Sequence, residues 1–237
     1  MNKTKIQWTE MTWNPITGCT KVSDGCENCY AARMAKRLKA MGNPRYTHEF
    51  KVTVHTDLLE VPLGIRQPKM IFVNSMSDLF HKDIPDNIII KVFKTMNSAY
   101  WHTFQVLTKR PERLLAMEQA GMLQWSPNIW MGVTVENDKY VERIDKLRNT
   151  KANIKFLSCE PLLGSLKNMN IENIDWVIVG GESGPKSRKM KKECVIEIRD
   201  LCEKKGVAFF FKQWGGINKK KSGRVLDGKT YDNYPIK

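Results

Sequence analysis

Cys19, Cys26 and Cys29 fall within eleven residues, in the stretch GCTKVSDGCENCY. The two-residue gap between Cys26 and Cys29 lets both thiolates reach one metal centre. Gly18 and Gly25 let the backbone wind around a bulky group and offer amide hydrogens to sulfur. A closed zinc site needs four ligands, usually two such knuckles or one knuckle with a histidine pair. No second knuckle follows, and His48, His55, His81 and His102 have no pairwise zinc spacing. Three thiolates instead leave one iron of a [4Fe-4S] cluster open to an exogenous ligand, and the odd count favours that reading. Two others stay open: zinc or a closed cluster, with Cys159 as a fourth ligand, and unligated thiols. Cys194 and Cys202 share a helical face with Val195, Ile198 and Leu201 and read as core.

Further reactive groups stand where apolar runs end. Asn74, Ser75, Ser77 and Asp78 follow MIFV; Thr108, Lys109 and Arg110 follow FQVL; Glu136 and Asn137 follow MGVTV. Ser158, Cys159 and Glu160 follow IKFL, Glu182 and Ser183 follow WVIVGG, and Lys212, Gln213 and Trp214 follow AFFF. Any one of these reads equally well as a turn or cap residue. Their recurrence at six strand ends predicts a pocket for a polar, charged ligand.

The elements that must carry these groups are short, nearly continuous apolar runs, as buried parallel strands require: 70–74, 103–108, 129–135, 154–158, 176–180 and 207–211. A weaker strand, MTWN (11–14), precedes the cysteines, and YAARMAKRLKAM is its helix. Helical patterns follow most of the others, two of them closed by Gly121 and Gly206. Seven such units predict an α/β fold: a partial (β/α) TIM-type barrel of about six or seven parallel strands, with a doubly wound open sheet as the runner-up. The expected organisation is one barrel domain over 1–216, with a cluster-binding loop at 18–30 and an insertion at 42–69. A polar C-terminal extension over 217–237 carries a turn signal at Asp227-Gly228.

No run of about 18 apolar residues predicts a membrane span, and the first ten residues lack the apolar stretch of a secretory signal. Six cysteines in 237 residues are too few for a disulfide scaffold, so a reducing, cytoplasmic location is expected. Lys and Arg outnumber Asp and Glu by 39 to 25, a net charge of +14, which favours a polyanionic partner such as nucleic acid. The densest basic run, PKSRKMKK, places Lys186, Arg188 and Lys189 near the expected mouth as candidate nucleic-acid contacts, with KKK at 219–221 as another. Trp13, Trp130, Trp176 and Trp214 lie in or beside strands and read as core before stacking surfaces.

A three-cysteine motif after a first strand, heading a partial α/β barrel, resembles the radical S-adenosylmethionine superfamily. More closely, the chain is similar to a phage-associated family regarded as radical-S-adenosylmethionine-like. The stretches that carry the likeness are WTEMTWNPITGCTKVSDGCENCYA, NPRY, IFVNSMSDLFH, VLTKRPER, MGVTVEN, CEPLLG, VIVGGESG, FFKQWGG and GRVLDG, spanning residue 8 to about 228. The resemblance implies that Cys19, Cys26 and Cys29 ligate a [4Fe-4S] cluster and that the amine and carboxylate of S-adenosylmethionine close the open iron. It implies cofactor-binding roles for Ser75, Asp78, Glu136 and Glu182 and radical chemistry on a substrate, and for a chain this compact a partner protein for electron supply or substrate delivery is expected. The superfamily's DNA photoproduct lyases make modification or repair of nucleic acid the leading function. The alternatives are a radical enzyme acting on a small molecule or peptide, and a non-catalytic nucleic-acid-binding protein with a structural Fe-S or zinc site. The motif departs from the common spacing: six residues separate the first two cysteines instead of three. The usual Gly-Gly-Glu is absent after the second strand but occurs at 180–182.

Overall fold

A computed structural model describes residues 1–235. The chain packs as two compact units, one formed by residues 1–22, 29–131 and 150–153, the other by 23–28, 132–149 and 154 onward.

In the first unit, β1 (Asn2–Lys3) pairs antiparallel with β2 (Met11–Trp13), and a two-stranded ribbon joins β3 (Ile16–Thr17) to β4 (Thr53–Val54), which lies beyond helix α1 (Tyr30–Ala40). After β4 come β5 (Met70–Val73), α2 (Asp86–Ser98), β6 (Thr103–Thr108) and α3 (Pro111–Gln119). Strand β2 runs parallel to β5, and β5 to β6, with Trp13 opposite Val73 and Val73 opposite Val106. Ile71, Val73, Phe104 and Val106 are fully buried, as are Ile89, Val92 and Met96 along α2. The insertion at 42–69 is bound to this unit through its backbone: Trp13 Nε1 donates to the Leu58 carbonyl at 2.7 Å and Trp101 Nε1 to that of Ile65 at 2.7 Å.

Strand β7 (Ile129–Thr134) carries the chain from the first unit into the second. There α4 (Glu142–Arg148), β8 (Ile154–Cys159), β9 (Trp176–Gly180), α5 (Lys192–Lys205), β10 (Ala208–Gln213) and a short α6 (Lys219–Ser222) follow. Strands β8, β9 and β10 are mutually parallel, with Phe156 and Ala208 both opposite Trp176. Gly206 closes α5 in the left-handed conformation, φ 67°, where a side chain would be strained. Gly132 admits the Phe156 ring, which would lie 2.5 Å from a Cβ at that position. The chain turns back at Asp227 and Gly228, both at positive φ, and then lines β10: Phe211 N–H donates to the Tyr231 carbonyl and the Tyr234 ring stacks 5.0 Å from Trp176. Trp13, Trp130 and Trp176 are core residues.

The architecture is thus mixed α/β with parallel strands. The antiparallel strand β1 adds to the expected elements: two polar residues carry no apolar pattern, and only their ladder to β2 makes them a strand. No helix of the described residues is long and apolar enough to cross a membrane.

Candidate functional site

The six cysteines divide into two chemical sets. Cys159, Cys194 and Cys202 are buried. Burial pushes the Cys159 thiol well up, with nearby Cys202, Glu160 and Glu136 adding to it, and burial drives Cys202 to about 12. Both stay protonated and inert. Cys159 packs inside the second unit opposite Val179 on β9, which argues against it as a fourth ligand. Cys19, Cys26 and Cys29 are each half-exposed.

In the first unit, Gly18 bridges to Ser77, and its N–H donates to the Met76 carbonyl at 3.0 Å. A Cβ at Gly18 would lie 2.2 Å from the Lys51 carbonyl, and its φ is +88°, so glycine alone lets the chain enter the loop here. Cys19 Sγ receives a hydrogen bond from Arg110 Nη1 at 3.4 Å. The same nitrogen donates to Asp78 Oδ2 at 2.9 Å, while Nη2 donates to the Thr20 carbonyl at 2.9 Å and hydroxyl at 3.1 Å. Burial lowers the Arg110 pKa, but Asp78 and Cys19 outweigh it, and the guanidinium is held above its ordinary value. Asp78 also accepts from the Thr108 hydroxyl and from the N–H groups of Phe80 and Lys109, so its carboxylate is fully engaged by protein. Cys29 sits at the N-cap of α1 and packs on a small cluster of Ala31, Ala35, Tyr46 and Met76.

Ser75 donates to Asn14 Oδ1 at 3.1 Å. Its neighbour Asn74 is 3% exposed just past β5, with φ +59°, and neither of its side-chain amide atoms meets a hydrogen-bonding partner among the described residues. Leaving such buried groups unpaired costs about 1–3 kcal/mol each.

In the second unit, residues 23–28 are gripped from two sides. Ser23 Oγ lies 3.6 Å from Cys26 Sγ and donates to Glu136 Oε1, and Glu136 Oε2 accepts from Arg143 Nη1 at 3.0 Å. Glu136 is wholly buried, and a Cβ on Gly25 would lie 2.5 Å from its Oε1. The Arg143 guanidinium stacks 4.2 Å over Tyr140, whose hydroxyl accepts from the Asp24 N–H. On the other side, Asn28 Nδ2 donates to Glu182 Oε2 at 2.9 Å and to the Lys186 carbonyl at 3.0 Å. Arg188 donates to both Glu182 oxygens, to Glu27 Oε2 at 3.0 Å and to the Asp24 carbonyl at 2.9 Å. Burial raises the Glu182 carboxyl, but hydrogen bonds from Arg188 and Asn28 prevail and hold it below its usual range. Lys186 and Lys189 are exposed, on either side of the engaged Arg188.

The structure therefore brings Asp78 to Arg110 and Cys19, and Glu136, Glu182 and Arg188 to the segment bearing Cys26. Arg110 is visible in the sequence only as one more cation at a strand end. Its aim at Cys19 depends on Asp78, thirty-two residues away. Among the described residues, no group of three or more His, Cys, Asp or Glu side chains is arranged to hold a metal ion. The fit to a thiolate-bound cluster is one of donor chemistry: the loop carries three half-exposed soft ligands, with a hydrogen-bond donor at Cys19.

The fold is similar to the solved structure described as spore photoproduct lyase complexed with dinucleoside spore photoproduct, with a TM-score of 0.50 and 12% identity. The likeness covers 86% of this chain and 63% of that one, so the chain spans less than two thirds of that protein. No curated protein matches the sequence. Residues 3–235 match the family described as Protein of unknown function (DUF5131).

Proposed function

The chain belongs to the DUF5131 family across almost its whole length, and we propose that it is a [4Fe-4S]-dependent radical S-adenosylmethionine enzyme that modifies or repairs nucleic acid. The observation that carries the reading is the division of the cysteines: the three of the loop are half-exposed, and the other three are buried. The fold likeness to a photoproduct lyase supports a partial barrel and a nucleic-acid substrate, and the net charge of +14 supports a polyanion.

In this reading Cys19, Cys26 and Cys29 would hold the cluster, which together with S-adenosylmethionine would supply reductively generated radical chemistry. The chain's own part is binding and orientation. Asn74, with its unpartnered amide, and Ser75 beside it are the groups suited to the cofactor's polar end. Asp78, Glu136 and Glu182 act one step back, each fixing a group next to a cysteine. Lys186 and Lys189 face the phosphate backbone. An electron-donor protein in a reducing cytoplasm completes the scheme.

The test is anaerobic reconstitution with iron and sulfide, followed by addition of S-adenosylmethionine and a strong reductant. About four irons per chain and 5′-deoxyadenosine that disappears in Cys26→Ala are the expected results. Zinc in place of iron, or a cofactor left intact in every condition, overturns the reading in favour of a structural staple in a binding protein.

A further inference from the structure

We infer that Arg110 is a positioning residue that makes the cluster easier to reduce, by donating a charged hydrogen bond to the Cys19 sulfur. The inference rests on the proposed cluster but goes beyond it, because no ligand motif contains Arg110.

Arg110 Nη1 is 3.4 Å from Cys19 Sγ and 2.9 Å from Asp78 Oδ2, and its Nη2 reaches both oxygens of Thr20, the residue next to Cys19. Its side chain is only 12% exposed and that of Asp78 8%, so the pair works where water screens little. Asp78 is itself fixed by Thr108 Oγ1 at 2.7 Å and two backbone amides. Thr20 Oγ1 is held from the far side by His81 Nε2 at 2.8 Å, in a ring that is fully buried. The guanidinium therefore cannot swing away, and its planar fork is what meets sulfur, carbonyl and carboxylate together.

Hydrogen bonds to cluster sulfurs and the local charge are the protein's means of setting cluster potential. One electron entering the cluster from an external reductant would add negative charge at the ligating sulfurs. A fixed cation and N–H donor at Cys19 favours the reduced state, and no proton need be transferred. Asp78 offsets part of the charge but supplies the orientation.

The experiment is a potentiometric titration of the reconstituted protein, with the reduced cluster followed by electron paramagnetic resonance and dithionite as reductant. Arg110→Gln is expected to keep about four irons and to move the midpoint to lower potential. Arg110→Lys, which keeps the charge but loses the fork, should fall between it and the wild type. Lys82→Gln removes an equal charge from a side chain that is 82% exposed and should leave the midpoint in place. Should Arg110→Gln not fold, Arg110→Lys carries the test, with a lowered midpoint. Unchanged midpoints in folded, iron-loaded variants overturn the inference while leaving the cluster reading intact. A wild type that binds no iron overturns both.

Discussion

Arg188 lies across Glu182 as a fork, Nη2 2.7 Å from Oε1 and Nε 3.1 Å from Oε2, and the same guanidinium reaches back to the Asp24 carbonyl. A loop that reads in sequence as a basic surface run therefore also latches the segment carrying Cys26. Arg188→Lys keeps the charge but cannot span three partners. It should destabilise the protein by about 1–3 kcal/mol and make Cys26 in metal-free protein react several-fold faster with iodoacetamide. Equal labelling rates would show that the latch does not order the segment.

Gly25 has a packing role that a side chain would defeat. A Cβ there would meet Glu136 Oε1 at 2.5 Å, and Glu136 cannot retreat, being wholly buried and bound to Arg143. Gly25→Ala should lower the denaturation midpoint by the equivalent of about 1–3 kcal/mol and reduce iron uptake on reconstitution. Gly64→Ala, with open space around the glycine and no positive φ, serves as the neutral comparison in the same denaturant series.

Three buried histidines make stability depend on pH. Burial holds His55, His81 and His102 below their usual value near 6.5, with Arg110 adding to the effect at His81. His102 Nδ1 accepts the Lys69 N–H while Nε2 faces the Pro62 carbonyl, an arrangement only the neutral ring satisfies. The unfolded chain then binds more protons than the native one below about pH 6.5, so stability falls with pH from there. Urea midpoints between pH 8 and 5 should be level above about 7 and decline below. A flat profile would mean that the rings protonate in place.

Lys186 and Lys189 are exposed on either side of the engaged Arg188. Replacing both with Gln should weaken oligonucleotide binding and reduce the slope of log affinity against log salt by about 1 for each phosphate that is no longer neutralised. Replacing Lys204 and Lys205 with Gln, an equal charge change at the end of α5, should leave the slope alone. Equal slopes in all three proteins would place the nucleic-acid surface elsewhere.

Much of the scaffold is legible locally. Strands β6 and β9 begin and end where their apolar runs do, and α5 stops at Gly206 because a left-handed residue is needed there. The pattern over 137–149 is less clear, since a 3-10 turn capped by Asn137 precedes α4 and breaks the helical period. The loop cysteines are legible as a set by their spacing, and Cys194 and Cys202 as core by their helical face.

What the sequence by itself determined is therefore the order of strands and helices and the type of chemistry in the loop, because periodicity and ligand spacing act between near neighbours. What only the tertiary structure decided is the work of the individual polar groups. Asp78, Glu136 and Glu182 are alike in sequence as carboxylates at or just past strand ends. The fold sets Asp78 to orient Arg110, Glu136 to hold Ser23, and Glu182 to anchor Asn28 and Arg188. It also leaves Asn74, between Val73 and Ser75, as a buried amide with no partner among the described residues. A carboxylate's partner is fixed by which distant segments the packed strands bring within hydrogen-bond reach, and that distance is set by burial of the whole core rather than by any local pattern.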